Sequence, residues 1–255
     1  MRKLRLIPRL DIKGPNLIKG IQLEGLRVIG DPNEHALRYY QNGADELLYM
    51  DSVASLYGRN NLQNLITKAV KDVFIPITVG GGIRSLENAY EMFRCGADKI
   101  AINTAAVKNP ILISDLVKEF GSQSIVISIE AKKKTTNKWE VYTECGREKT
   151  GLDVMEWAKK CVDLGIGEIL ITSVDKEGTK KGFDIELTKM LTDNFNTPII
   201  ASGGMGNEEH LYELIENTNV DAVCIASLLH YKKSTLQNIR RACLNKNFKL
   251  RDFYD

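Results

Sequence analysis

The chain has 255 residues, of which 43% are hydrophobic and 27% are charged. This length is close to that of a single α/β barrel, so we expect one domain spanning residues 1–255. The 35 basic and 33 acidic residues leave a net charge of +2, which is too small to favour a nucleic-acid or membrane partner. Five cysteines without paired spacing fit reduced thiols in a cytosol and offer no metal site. No segment reaches membrane-spanning length, so we expect a soluble cytoplasmic protein, and we expect no cofactor.

Short apolar segments alternate eight times with amphipathic segments. The predicted strands are residues 5–11, 46–51, 75–80, 99–103, 124–130, 168–173, 198–202 and 221–226. The predicted helices are residues 32–43, 59–72, 86–96, 110–119, 152–164, 186–194, 207–216 and 234–243. Capping side chains or prolines mark three helix starts, at Asp31 with Pro32, at Ser85, and at Asn109 with Pro110. Strands separated by helices run parallel, so the pattern predicts a (β/α)8 TIM barrel, with a doubly wound open sheet as the alternative.

An internal repeat favours the closed barrel. Residues Val79–Gly82 align with Ala201–Gly204 at an offset of 122 residues. The same offset pairs Pro76 with Pro198, Glu46 with Glu168, and Thr104 with Ala226. We therefore predict two homologous half-barrels of about 120 residues each. Closure follows because each half can cover the sheet edges of the other.

Two carboxylates end corresponding predicted strands of the two halves. Asp11 ends the first strand and Glu130 ends the fifth. Active sites of such barrels lie at the C-terminal strand ends, where these two acids would face each other. A facing pair can act as general acid and general base if the two environments differ. Each acid could instead cap a loop or pair with a nearby lysine, such as Lys13 or Lys132.

Two glycine-rich turns follow the third and seventh predicted strands. Gly80–Gly82 and Gly203–Gly204 would let a bound anion approach the backbone just before a helix. Each turn has polar or small partners on the next strand, namely Asn103 with Thr104 and Ala226 with Ser227. The glycines alone could simply allow tight turns. Two opposed anion sites would suit a substrate with a phosphate at each end.

Four charged residues stand at the opposite ends of the predicted strands. They are Arg5, Glu46, Lys99 and Glu168. Barrels generally use this face for stability rather than chemistry. The residues alone therefore favour a solvated rim or a closed ring of charges.

Several segments together carry a family resemblance. They are residues 77–85 (ITVGGGIRS), residues 102–110 (INTAAVKNP), Thr172 with Ser173, Gly178 with Thr179, and residues 200–204 (IASGG). Over nearly its whole length the chain resembles the cyclase subunit family of imidazole glycerol phosphate synthase. The resemblance implies that a glutaminase subunit docks as a heterodimer on the N-terminal barrel face and supplies ammonia through the barrel. It also implies that ammonia and a bisphosphorylated formimino-aminoimidazole ribulotide give imidazole glycerol phosphate and an aminoimidazole carboxamide ribotide.

The resemblance implies roles for individual residues. Asp11 and Glu130 would be the acid/base catalysts, and Asp98 would lie at the glutaminase interface. The ammonia gate would be formed by Arg5, Glu46, Lys99 and Glu168, which reverses the interpretation from the residues alone. The substrate and its phosphates would be held by Lys19, Gly82, Asn103, Thr104, Glu177, Gly178, Gly204, Ala226 and Ser227.

Three positions depart from the family pattern. The family has aspartate at Glu130 and at Glu177, and usually cysteine at Arg9. The extra methylene of Glu130 matters because a shift of about 1 Å in a catalytic group can cost about 10²-fold in rate. By strand alternation Arg9 points into the barrel below Asp11, where a buried guanidinium needs a partner. We therefore expect Arg9 to pair with Asp11 or Glu130.

These departures leave two other functions open. One is a cyclase-like paralogue that keeps the glutaminase partner and delivers ammonia to a sugar amidotransferase, for acetamidino groups on surface sugars. The other is the related sugar-phosphate isomerase of the same barrel type. The gate residues and the docking face argue against the isomerase, because that reaction needs no ammonia.

Overall fold

The structure, a computed structural model, describes residues 3–54 and 62–251. Within these ranges the chain forms twelve strands, ten helices and one 3-10 turn at Ser122–Ser124. The strands are β1 (Arg5–Lys13), β2 (Asn16–Ile21), β3 (Glu24–Gly30), β4 (Leu47–Asp51), β5 (Ile77–Gly80), β6 (Lys99–Ile102), β7 (Ile125–Thr135), β8 (Lys138–Thr143), β9 (Glu148–Asp153), β10 (Glu168–Ser173), β11 (Ile199–Ser202) and β12 (Ala222–Ile225). The helices are α1 (Pro32–Gln41), α2 (Leu62–Ala69), α3 (Leu86–Arg94), α4 (Thr104–Lys108), α5 (Ile111–Phe120), α6 (Val154–Asp163), α7 (Ile185–Asn194), α8 (Glu208–Asn217), α9 (Ser227–His230) and α10 (Leu236–Asn245). Among the described helices, none is long and apolar enough to cross a membrane.

Eight parallel strands close into a barrel. Their order is β1, β4, β5, β6, β7, β10, β11 and β12, and β12 pairs back onto β1 with Ala222 opposite Arg5. All eight predicted strands are therefore confirmed, and the closed TIM barrel is confirmed over the open sheet. The extent of the domain stays a prediction, because residues 1–2, 55–61 and 252–255 lie outside the described chain.

Two antiparallel hairpins were not predicted. β2 and β3 follow β1, and β8 and β9 follow β7. Each hairpin extends a barrel strand beyond the rim, with Asp11 opposite Ile18 and Glu130 opposite Tyr142. Both carboxylates therefore lie where a barrel strand meets a hairpin. The hairpins occur at matching places in the two halves, although the duplication itself stays a prediction.

The barrel strands are buried on both faces, which explains their continuous apolar sequences. One apolar cluster lies inside the barrel and includes Ile7, Leu48, Val126, Leu170 and Ile200. A larger cluster lies between the strands and the helices. Alternate residues of a strand thus pack in two separate cores. The interior cluster fills the barrel between its two polar ends.

Two of the three predicted helix starts are confirmed. The Asp31 carboxylate accepts the backbone N–H groups of Asn33 and Glu34, and the Ser85 hydroxyl accepts that of Asn88. The prediction at Asn109 was wrong, because this residue ends α4 by donating its backbone N–H to a carbonyl of that helix. α5 then starts at Ile111 without a capping side chain. Of the helix predicted over 59–72, residues 59–61 lie outside the described chain.

A buried ion pair fixes the last helix to the N-terminal face. Arg240 of α10 is 1% exposed. Its Nη2 atom donates to Asp45 Oδ2 at 2.8 Å and to the carbonyl of Gly43 at 2.8 Å. Asp45 also accepts the backbone N–H of Leu6 at 2.8 Å. One carboxylate therefore joins the start of β1 to α10.

Replacing Asp45 by alanine should lower the free energy of unfolding by about 3–5 kcal/mol, because the buried Arg240 guanidinium loses its counter-charge. Urea denaturation of the purified protein measures this change. The matched control is Lys189→Ala, which breaks the exposed pair with Asp193 and should cost less than about 0.5 kcal/mol. Equal losses in the two variants would contradict the importance of the buried pair.

Candidate active site

The C-terminal half of β1 carries a buried ion pair. Arg9 and Asp11 are each 4% exposed. Arg9 Nε donates to Asp11 Oδ1 at 2.8 Å. Arg9 Nη1 crosses the barrel interior and donates to Thr172 Oγ1 at 3.0 Å and to Ser202 Oγ at 3.2 Å. The expected pairing of Arg9 is confirmed, and its partner is Asp11.

The second oxygen of Asp11 faces another cation. Lys19 Nζ of β2 lies 3.5 Å from Asp11 Oδ2 and also donates to Glu177 Oε1. Burial alone would raise the pKa of Asp11, but the charges of Arg9 and Lys19 outweigh burial and lower that pKa. Asp11 is therefore held as a carboxylate. Positive and negative side chains therefore alternate along the contacts that run from Arg9 to Glu177.

Glu130 has a different environment. Its carboxylate is buried, and Oε2 accepts the backbone N–H of Gly146 at 2.8 Å. Burial raises the pKa of Glu130 to about 7, and the Gly146 hydrogen bond and the Arg9 charge oppose this rise only in part. At neutral pH the group is therefore divided between its acid and carboxylate forms. Among the described residues, neither Asp11 nor Glu130 pairs with a lysine at position 13 or 132.

The two carboxylates line one small cavity. Its volume is about 20 Å³, and Asp11, Lys19 and Glu130 form part of its wall. A space of this size holds about one water molecule. Glu130 also lines a neighbouring cavity of about 440 Å³, whose lining does not include Asp11. Glu130 therefore stands between the small cavity and the large one.

The first glycine turn opens onto the large cavity. Gly81 and Gly82 have φ values of +96° and +75°, a conformation that side chains rarely adopt. A Cβ atom on Gly81 would lie 2.4 Å from the carbonyl oxygen of Asp51. The turn therefore requires glycine for its conformation and for close packing. This cavity is large enough for a phosphoryl group.

The polar partners of this turn are held by the second hairpin. Asn103 Nδ2 donates to the carbonyl of Tyr142 at 3.1 Å. Thr104 Oγ1 accepts the backbone N–H of Glu144 at 3.2 Å. Both residues line the large cavity, as the proposed phosphate site requires. The β8–β9 hairpin thus fixes the wall that a ligand would contact.

The second glycine turn is filled by the chain itself. A Cβ atom on Gly204 would lie 1.9 Å from the carbonyl oxygen of Gly182, and one on Gly178 would lie 2.4 Å from that of Gly20. The cavity here is about 20 Å³ and is lined by Arg9, Lys19, Glu177, Gly178, Gly204, Ala226 and Ser227, among others. Lys19 and Glu177, which contact each other, both lie on the wall of this small cavity. A cavity of about 600 Å³ lies on the outer side and shares Lys19, Gly178 and Ser227.

Four further residues line these cavities and were not predicted from the sequence. Arg84 and Lys108 line the large cavity, and Lys180 lines the second turn. These three cations could have been found from the sequence, because they lie within four residues of Gly82, Thr104 and Gly178 respectively. Cys145 lines the large cavity and also the small cavity that Asp11 and Glu130 share. It lies after β8, so its position could not be predicted without that hairpin. Burial raises the pKa of the Cys145 thiol to about 12, so it is no nucleophile at neutral pH.

The four charges at the other barrel end form a closed ring. Arg5 Nη1 lies 2.6 Å from Glu46 Oε1 and 2.8 Å from Glu168 Oε1. Lys99 Nζ lies 3.1 Å from the remaining oxygen of each glutamate. Asp98, beside the ring, is exposed and accepts the backbone N–H of Ile77 at 2.8 Å. The ring closes the N-terminal end of the barrel interior.

Glu130→Gln should stabilise the protein at high pH relative to the wild type. The folded chain holds the Glu130 proton up to about pH 7, whereas the ordinary pKa is 4.5, so wild-type stability falls as pH rises between these values. This rise in the pKa of Glu130 corresponds to about 3 kcal/mol in the free energy of unfolding. The variant does not lose this stability at high pH, because glutamine does not ionise. Urea denaturation at pH 5 and pH 8 measures it. Glu186→Gln, at an exposed site, is the control, and a pH-independent difference for Glu130→Gln would contradict the raised pKa.

Gly81→Ala should weaken the binding of inorganic phosphate by at least about tenfold, because the new methyl group meets the Asp51 carbonyl and displaces the turn. Gly151→Ala is the matched control, since Gly151 has a φ of +76° but open space around its Cβ position. Both variants should lose about 1–2 kcal/mol of stability from the backbone conformation. Phosphate titrations followed by calorimetry compare the affinities, and equal affinities in the two variants would argue against the Gly81 turn as an anion site.

Comparison with known proteins agrees with this geometry. Residues 5–235 match the family model described as "Histidine biosynthesis protein". The imidazole glycerol phosphate synthase subunit HisF of Legionella pneumophila is 62% identical over 209 residues, which cover 82% of this chain and 99% of that relative. The subunit of the same name from Bacillus cereus strain G9842 is 45% identical over 247 residues, which cover 97% of this chain and 98% of the relative. The chain therefore belongs to the histidine biosynthesis protein family, and within it to the group of imidazole glycerol phosphate synthase subunit HisF.

Proposed function

We propose that the chain is the cyclase subunit of an imidazole glycerol phosphate synthase in histidine biosynthesis. It joins ammonia to a bisphosphorylated formimino-aminoimidazole carboxamide ribulotide, and the products are imidazole glycerol phosphate and aminoimidazole carboxamide ribotide. The family membership supports this function. The observation that carries it is the pair Asp11 and Glu130, two carboxylates of opposite proton affinity on the wall of one cavity.

Acid/base chemistry needs groups in two protonation states at the same pH. Asp11 is ionised because Arg9 and Lys19 face it. Glu130 is buried, has a pKa of about 7 and borders the large cavity, so it can give a proton to a bound ligand and take one back. The pair therefore supplies an anion and a proton donor to one substrate.

The first phosphate of the substrate would bind in the large cavity at Gly82, Asn103 and Thr104. The cavity is wide enough, and its wall carries two cations, Arg84 and Lys108, of which Lys108 pairs with Glu144 at 3.2 Å. Anion binding at such a turn is favoured by backbone N–H groups that point towards the ligand. This end of the substrate would then lie next to Glu130.

The second phosphate would bind at Gly178, Gly204, Ala226 and Ser227. This site needs a change, because Lys19 and Glu177 pair with each other on the wall of a cavity of only about 20 Å³. A phosphate is a strong acceptor for the ammonium group of Lys19 and would replace the Glu177 carboxylate. The hairpin β2–β3, which carries Lys19, would move with it.

A glutaminase subunit would dock on the N-terminal face and deliver ammonia to the barrel. The ring of Arg5, Glu46, Lys99 and Glu168 lies at that end and would open as the gate, with Asp98 at the interface. The interior next to the ring is apolar, with Ile7, Leu48 and Val126 on its wall, and the Arg9 guanidinium crosses the barrel above it. Neutral ammonia can enter such a space at far lower cost than the ammonium ion.

Purified protein with an ammonium salt at about pH 8 should convert the bisphosphorylated ribulotide without the glutaminase. Glu130→Gln and Asp11→Asn should each lower kcat by at least about 10²-fold, because each removes one member of the acid/base pair. Product formation is followed by chromatography, and the exposed variant Glu186→Gln serves as the active control.

An inert wild type that gains activity through Glu130→Asp would contradict the proposed reaction. In that case the chain would act as an ammonia-delivering subunit for another enzyme. Turnover by the wild type that exceeds that of Glu130→Asp would show that the longer side chain fits this site.

A further inference from the structure

The two carboxylates of the site differ in the partners that hold them. Both oxygens of Asp11 face cations, with Arg9 Nε at 2.8 Å from Oδ1 and Lys19 Nζ at 3.5 Å from Oδ2. The hydrogen bond to Glu130 comes from the neutral backbone N–H of Gly146. A charged partner stabilises a carboxylate more strongly than a neutral one. The contacts therefore favour the charged form of Asp11 more strongly than that of Glu130.

Arg9 is the more firmly fixed of the two cations. Its guanidinium donates through Nε to Asp11 and through Nη1 to Thr172 and Ser202, so three hydrogen bonds from three strands set its orientation. Lys19 divides its single ammonium group between Asp11 and Glu177. It would also leave Glu177 if a phosphate entered the second turn. Arg9 is therefore the cation that stays beside Asp11 both before and after a phosphate binds.

Distance and geometry explain why Arg9 acts on one carboxylate more than on the other. The Arg9 guanidinium donates directly to Asp11 through Nε, whereas its effect on Glu130 is a weaker one through space. A direct contact with a buried guanidinium strongly favours the charged form of an acid. Without Arg9 only Lys19 would face Asp11 as a cation, and the two acids would differ less in proton affinity.

We propose that Arg9 is a positioning residue that divides the roles of the two acids: it keeps Asp11 as a permanent anion and leaves Glu130 as the group that carries the transferable proton. The inference rests on the proposed function and deepens it. Asp11 then serves as the ionised member of the acid/base pair and stabilises positive charge that develops on the substrate. Glu130 gives its proton to a substrate atom and recovers a proton through the large cavity, so that the enzyme returns to its starting state.

Other charged groups face the two acids. Besides Arg9 and Lys19, Asp11 is influenced by His230 of α9. Burial lowers the pKa of His230 to about 3, so this side chain is neutral and adds no fixed charge. Glu130 is influenced by Asp11 and by Glu144 of the second hairpin, and both anions favour its protonated form. These neighbours reinforce the division of roles.

The experiment is a titration of the carboxyl carbons by ¹³C NMR between pH 4 and pH 9. Asp11→Asn and Glu130→Gln identify the two signals by their loss. The test variants are Arg9→Met, which removes the charge at similar length, and Arg9→Lys, which restores the charge without the fork. The matched control is Arg240→Met, which removes a buried arginine paired with an aspartate on the other face of the barrel.

In the wild type, the Glu130 signal should titrate near pH 7 and the Asp11 signal should not titrate above pH 5. In Arg9→Met the proton affinity of Asp11 should rise at least tenfold, which is one pKa unit. Arg9→Lys should lie near the wild type, and Arg240→Met should leave both titrations unchanged. With ammonium as the nitrogen source, the pH–rate profile of Arg9→Met should gain a second ionisation that Arg9→Lys lacks.

Two results would overturn the proposal. One is an Asp11 signal that titrates above pH 5 in the wild type, which needs no variant and so does not depend on whether Arg9→Met folds. The other is an unchanged Asp11 titration in folded Arg9→Met. A wild type with the expected titrations but no turnover of the ribulotide would refute the proposed function while the effect of Arg9 on Asp11 stands.

Discussion

The ion pair between Arg9 and Asp11 is the interaction on which the site depends. It is buried at the end of β1, and hydroxyl groups of β10 and β11 hold its guanidinium from across the barrel. Two charges can be buried only when geometry and further hydrogen bonds compensate for the loss of water. Three strands, β1, β10 and β11, therefore hold the guanidinium that keeps Asp11 ionised.

Glu130 is buried in a different way from Asp11, because it holds a proton instead of facing cations with both oxygens. Among the residues that the structure describes, no cation bonds to it directly, and it holds a proton up to about pH 7, which makes it useful for acid catalysis and costly for the fold at higher pH. Such a conflict between stability and activity is common at active sites. The arrangement also explains why a glutamate can stand at this position. Its carboxylate is held by Gly146, which belongs to the turn after β8.

Much of the barrel could be predicted because its strands are buried on both faces and form continuous apolar runs. Asp11 and Glu130 could be found because parallel strands bring their C-terminal ends to one face. The first hairpin was missed because it carries exposed apolar residues, Ile21 and Val28, and so lacks a clear alternating pattern. The filling of the second turn could not be predicted, since Lys19 and Glu177 are 158 residues apart in sequence. The choice of Asp11 as the partner of Arg9 also required the coordinates, because both acids were within reach.

Infrared difference spectroscopy, in which the spectrum of each variant is subtracted from that of the wild type at pH 6, identifies which acid holds the proton, because a buried protonated carboxyl group has its own carbonyl band. One such band should disappear in Glu130→Gln and persist in Asp11→Asn. A band that persists in Glu130→Gln and disappears in Asp11→Asn would show that Asp11 holds the proton, and the proposed division of roles between the two acids would then be wrong.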